Sequence, residues 1–305
     1  MAFRVILIES EVTIKVKLNN LIITKDGNDI WVPLDDISMI VMDNLSTTLS
    51  ARLLCQLSEQ GIGFMLCNQE HLPTGFYSSY DKHSRASKVI GFQIEKTLDY
   101  YDIVWQKIVI AKIVNQANAY RKLSNDDIGA DKIYKFSTEI IEGDKTNREA
   151  HAAKVYFNLL MGTSFSRGNE DILLNSGLDY GYAVLRGFVA RVCVGYGLNT
   201  QIGIHHKNEY NRFNLVDDLM EPLRPIVDIV AYNTMKDEKY FTREHRRRLV
   251  NILNMKIMYK NKKMYICNMI ESYIEQFAAM IMQRTDKMAF PDINDFIYEE
   301  EVNEI

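Results

Sequence analysis

Ser78-Ser79-Tyr80-Asp81-Lys82-His83-Ser84-Arg85-Ala86-Ser87 is where the hydrophobic period of this 305-residue chain changes. Ten polar or small residues with no apolar repeat read as a linker. Upstream lie short segments rich in β-branched and aromatic residues: Phe3 to Ile8, Val12 to Leu18, Leu21 to Thr24, Ile30 to Val32 and Ile37 to Met42. The turn signals Asn19-Asn20 and Asp26-Gly27 break them up, which predicts an antiparallel meander. A helix from about Thr47 to Gln60 should end at Gly61 in the C′ position, followed by strands at Gly63 to Cys67 and Thr74 to Tyr77. Downstream the period is helical, over about 88–123, 129–142, 147–162, 171–198, 214–231, 243–255 and 265–284. Asn261, between Met258 and Tyr265, suggests a hairpin before the last helix. The expectation is an α+β chain of two domains. A small, sandwich-like N-terminal β domain occupies 1–80, a linker 81–90, and a larger all-α domain 91–305, ending in an acidic tail at 292–305.

The chain is long enough for two separate cores. Its hydrophobic fraction of 47% and charged fraction of 25% exclude disordered and fibrous classes. The most apolar stretch, Tyr180 to Leu198, carries Arg186 and Arg191, and the N-terminus lacks a signal pattern, so a cytoplasmic location and no membrane are expected. Cys55, Cys67, Cys193 and Cys267 form no CxxC pair and read as reduced core residues. The formal charge of −4 argues against a nucleic-acid protein. Yet six acids, Asp292, Asp295, Glu299, Glu300, Glu301 and Glu304, lie after Pro291, and without them the remainder is +2. A near-neutral body can carry the local basic patch that phosphate binding needs.

Three sets of residues could carry chemistry. Asp217 and Asp218 precede Glu221 by four and three positions, so helical spacing places these carboxylates on one face. Like charges that close need water, cations or a metal; a solvated acidic face with Arg224 as partner satisfies the same spacing. Pro222 and Pro225 should disturb that helix. His205 and His206, just upstream, would complete an N/O set suited to Mg²⁺ or Mn²⁺ more than zinc, although a loop histidine pair also suits the surface. Glu149, in Thr146-Asn147-Arg148-Glu149, has the spacing of a capping box. A basic cluster, Arg243, Arg246, Arg247 and Arg248 with Lys260, Lys262 and Lys263 further on, could grip DNA phosphates or form a solvated helix face.

Together these motifs resemble a known family. Thr146 to Phe157 (TNREAHAAKVYF), Leu174 to Ala183 (LNSGLDYGYA), Gly203-Ile204-His205-His206 and Asp218-Leu219-Met220-Glu221-Pro222-Leu223-Arg224-Pro225 are similar, in order and spacing, to the CRISPR-associated integrase of the adaptation machinery, in its type II form. The resemblance implies a β domain that dimerises and an α-helical catalytic domain. It implies metal ligands at Glu149, His206 and Glu221, with Asp218 as an acidic helper. The implied activity is insertion of short DNA into a CRISPR repeat by 3′-hydroxyl transesterification, with endonuclease activity beside it. Implied partners are double-stranded DNA, a second copy of the chain, a small ferredoxin-like adaptation protein bridging two dimers, and the type II effector nuclease. Two other readings stay open. His245-Arg246-Arg247-Arg248 fits the His-x-x-Arg element of tyrosine recombinases, with Tyr265 or Tyr273 as nucleophile; or the chain is a non-catalytic DNA-binding scaffold.

Overall fold

Arg4–Ile8 (β1) and Ile37–Met42 (β5) are nearly unbroken apolar runs, and such runs belong in strands covered on both faces. In the computed structural model, which describes residues 2–77, 79, 83–169 and 172–296, that is where they lie. Between them come Thr13–Lys17 (β2), Asn20–Lys25 (β3) and Asn28–Pro33 (β4); after them Thr48–Leu49 (β6), the helix Ala51–Gln60 (α1), Gly63–Cys67 (β7) and Pro73–Tyr77 (β8). The strands form two four-stranded sheets, ordered β1-β5-β7-β8 and β4-β3-β2-β6.

Only β2, β3 and β4 make the expected meander. β1, β5 and β7 pair in parallel, because the β2–β4 hairpins and then α1 serve as the crossovers that parallel neighbours require. The two-residue turns carry positive φ at Leu18 and Asn19 and again at Asp26 and Gly27, so the first turn sits one residue earlier than its Asn-Asn signal.

Period-2 alternation divides the first sheet between two cores. Ile6, Ile8, Ile40, Met42 and Phe64 face the second sheet and Leu53 and Leu57 of α1. Val5, Met39, Val41, Met65 and Cys67 face the opposite way and share one core with the helices.

The helices are Ala86–Glu95 (α2), Leu98–Ser124 (α3), Asp127–Ser137 (α4), Arg148–Met161 (α5), Leu173–Gly195 (α6), Asn214–Met220 (α7), Arg224–Met235 (α8), Arg243–Asn251 (α9) and Ile266–Ile281 (α10). The hairpin Lys256–Tyr259 (β9) and Lys262–Tyr265 (β10) precedes α10. Helix α2 starts at Ala86, inside the expected linker; Ser78, Tyr80, Asp81 and Lys82 lie outside the described residues. Two expected helices are broken. Thr97 ends the first by accepting from the Tyr100 amide and capping α3. Pro222 ends α7, and residues 221–223 form a single tight turn before α8; the buried Asn115 amide of α3 donates to the Pro222 carbonyl at 2.7 Å.

Helix α6 packs closely on α8, because a Cβ at Gly181 would stand 2.5 Å from Val227 Cγ1. Of the acidic tail, Ile293 and Phe296 are buried and 297–305 lies outside the described residues. Cys55 is exposed, unlike the other three cysteines, which are buried and unpaired.

Candidate active site

Helix α5 is not started by a capping box. Asn147, its N-cap residue, has φ +53 and no side-chain cap. The buried Asp144 carboxylate instead accepts from the Arg148 amide (2.8 Å) and the Glu149 amide (2.9 Å). With the orphan N–H groups satisfied from upstream, the Glu149 side chain is released to face α3. There its Oε1 lies 2.5 Å from Lys112 Nζ.

Glu221 reaches the same atom, with Oε2 2.5 Å from Lys112 Nζ, so the two glutamates face each other across one ammonium. The acid set is buried, not a solvated face: Glu221 is 4% exposed and Asp218 0%. Burial pushes Glu221 up, but Lys112 and then Arg224, whose Nε is 2.8 Å from Oε1, outweigh it and hold the carboxyl at about 2. Burial would lower Lys112, but the charges of Glu221 and Glu149 overcome this and raise it. Glu221 Oε2 nevertheless makes no well-aligned hydrogen bond. Asp217 points elsewhere, pairing with Arg186 and Asn211.

The loop before α7 is folded around Asp218. Its Oδ2 accepts from the Ile204 (2.6 Å) and His205 (3.0 Å) amides, and its Oδ1 lies 2.6 Å from His206 Nδ1. Gly203 makes this wrap possible, since a Cβ there would crowd Asp218 and the His206 carbonyl. Both Asp218 oxygens accept from backbone amides, an arrangement that suits donation from His206 Nδ1 to Oδ1 and turns Nε2 away from Asp218. The Asp218 hydrogen bond is the main cause that raises the His206 pKa; burial opposes it, and the charges of Asp218, Glu221 and Glu149 add to it. His205 stacks on Trp105 of α3, centroids 4.5 Å apart and rings within 3° of parallel, while the His206 ring meets the same indole edge-on at 5.8 Å.

Glu149 and Glu221 are thus in one place, with His206 close enough to feel both charges. Among the described residues no group of three or more His, Cys, Asp or Glu is placed to hold a metal ion; Lys112 stands between the two glutamates. Sequence reasoning missed Lys112, Asp144 and Trp105. The first hides as a charge within a long helix, and its only signal is an apolar flank, Ile108-Val109-Ile110-Ala111 and Ile113-Val114.

The basic helix is committed within the molecule. Arg246 Nε pairs with the buried Asp43 at 2.9 Å, Arg243 and Arg247 reach Glu9, and Arg248 reaches Glu244. Those acids, Glu244 apart, belong to the β region, so α9 fastens the helices to it. Lys262 and Lys263 of β10 and Lys260 in its turn are exposed. The recombinase element is also spent structurally. His245 caps α9 with Thr242, Tyr265 stacks on Phe3, and Tyr273 is fully buried.

The model of the family CRISPR associated protein Cas1 matches residues 5–262. A CRISPR-associated endonuclease Cas1 of Neisseria meningitidis serogroup C is 32% identical over 297 residues, 96% of this chain and 97% of that protein. One from Francisella tularensis subsp. novicida is 30% identical over 53% of this chain and 57% of its own. Two solved structures share the fold. One is a casposase bound to integration product (TM-score 0.77, 18% identity, 99% of this chain and 96% of that one). The other is a Cas1 protein from Thermotoga maritima (TM-score 0.73, 16% identity, 95% and 99%). A chain of a Cas6-RT-Cas1–Cas2 complex also matches, over 98% of this chain and 36% of that one (TM-score 0.68, 18% identity). With a family model covering most of the sequence and a relative aligned nearly end to end, the chain belongs to the CRISPR associated protein Cas1 family.

Proposed function

We propose that this chain is a metal-dependent DNA integrase of CRISPR adaptation, with endonuclease activity when water replaces the attacking hydroxyl. The observation that carries the reading is the pair of the half-buried Glu149 and the buried Glu221, which meet at one ammonium beside the imidazole that Asp218 orients. Two hard carboxylates and one imidazole suit Mg²⁺ or Mn²⁺, and Glu221 Oε2, held 2.5 Å from the Lys112 ammonium, already takes a cation. Glu149, His206 and Glu221 would hold the ion. When bound, it supplies positive charge to a phosphoryl oxygen as negative charge develops.

The rest falls to the chain itself. Asp218 fixes the His206 ring from behind, the support metal-binding histidines ordinarily have, a more specific role than the general acidic helper the motif implied. Arg224 keeps Glu221 ionised and aligned. A 3′-hydroxyl of the incoming DNA attacks a repeat phosphodiester, the new P–O bond forms, and the repeat strand leaves with its own 3′-oxygen; no covalent protein intermediate is needed. Lys260, Lys262 and Lys263 are the candidates for backbone contacts. The partners in this reading are double-stranded DNA, a second copy through the β domain, a small ferredoxin-like adaptation protein and the type II effector nuclease. The Cas1–Cas2 complex among the structural neighbours and the endonuclease name of the Neisseria relative support it.

The test is joining of a labelled duplex to a supercoiled repeat plasmid. EDTA and Glu149→Ala should each abolish joining, while Tyr265→Phe should leave it. Joining that survives both metal removal and Glu149→Ala would sink the reading; DNA binding without joining in wild type would favour the scaffold.

A further inference from the structure

Among the described residues Lys112 is the cationic side chain that meets both glutamates, its side chain 9% exposed. Its Nζ touches Glu149 Oε1 and Glu221 Oε2 at the same 2.5 Å, while Arg224 takes the other oxygen of Glu221. Between the two glutamates and their cations charge is therefore balanced, two carboxylates against one ammonium and one guanidinium, while the Asp218 carboxylate beside them is engaged by the Ile204 and His205 amides and by His206. Bringing in a divalent ion with Lys112 in place would set four positive charges against the three carboxylates of Glu149, Glu221 and Asp218, with two cations competing for the same two glutamates, which is costly at short range. Sterically, an ion bridging the same two oxygens would need the space the ammonium fills. Arg224 does not stand between the two glutamates: it pairs with the other oxygen of Glu221, and its guanidinium lies 4.6 Å from the Tyr182 ring centroid. Among the described residues the polar partners of Lys112 are the two carboxylates, and its flexible four-carbon stem can withdraw.

From this geometry we infer that Lys112 is a tethered counter-ion that holds Glu149 and Glu221 ready and that the divalent ion must displace. It is a positioning residue, acting through the two glutamates, and the proposal rests on the metal reading above. It implies that the free protein binds metal more weakly than its donors allow, and that the ammonium becomes accessible when metal enters.

Both consequences can be measured without assaying activity. Calorimetric titration of the full chain with Mn²⁺ should show Lys112→Gln, which keeps a polar side chain between the acids, binding at least about tenfold tighter than wild type, with Lys112→Arg close to wild type. On wild type alone, where folding is not in question, acetylation of Lys112 by an amine-reactive ester, read by mass spectrometry against exposed Lys262, should rise severalfold on adding Mn²⁺. Equal or weaker Mn²⁺ binding by Lys112→Gln, or unchanged Lys112 acetylation on saturating wild type, overturns the displacement while the metal reading stands. Absence of Mn²⁺ binding by wild type and Lys112→Gln alike overturns both.

Discussion

Burial pushes the Asp228 carboxyl up to about 6, with a hydrogen bond from the Tyr182 hydroxyl the leading opposing influence. A carboxyl raised in the folded state adds stability that is complete below its ordinary value and lost as pH climbs through about 6. Asp228→Asn keeps an acceptor for Tyr182 and removes the charge. Urea unfolding should find this variant more stable than wild type at pH 8, by on the order of 3 kcal/mol, with the gap roughly halved at pH 5. A gap that does not change between those pH values would show that Asp228 does not titrate there. At this scale the sequence is least informative. Asp228 looks like any helical acid, and Lys112 like any helical lysine, because burial and charged neighbours come from other segments.

Helix starts and breaks show where local rules were enough. Gly61 ends α1, Asp126 caps α4, and the hairpin around Asn261 forms, all from short-range turn and cap chemistry. Helix α5 is different, because its cap comes from Asp144, outside the Thr-x-x-Glu motif. Asp144→Ala should cost about 1 kcal/mol in urea unfolding and also slow DNA joining, since Glu149 loses its alignment. Asp144→Asn, which still accepts from an amide, should recover most of the stability. If Asp144→Ala unfolds like wild type, the cap is not what sets this helix. The broken 214–231 segment follows the same logic: Pro222 announces a disturbance, but the Asn115 amide that satisfies it sits more than a hundred residues away.

Across the whole molecule the β region and the helices are fastened together by polar ties as well as by the shared core. Arg246 meets Asp43, Arg247 meets Glu9, the Asn254 side chain bonds both backbone groups of Val5, and Arg191 donates to the Gly61 carbonyl. Arg246→Ala would leave the buried Asp43 without its guanidinium and held by His71 Nδ1 at 2.8 Å, at a cost of about 1–3 kcal/mol in denaturant unfolding. Lys262→Ala with Lys263→Ala should leave stability within about 0.5 kcal/mol, weaken DNA binding, and lower its salt slope by about 2. Stability loss in the lysine pair, or none in Arg246→Ala, would reverse these assignments. The sequence by itself determined that strands come first and helices after, and the motifs that carry Glu149, His206, Asp218 and Glu221. Those depend on neighbours within a few positions and on the side-chain periods of strand and helix. Only the tertiary structure decided the parallel pairing of β1, β5 and β7, the division of labour between His205 and His206, the commitment of the arginine helix to the β region, and the ammonium between the two glutamates. Each of these is a meeting of groups far apart in the chain, fixed by which faces must leave water and which charges must then be paired.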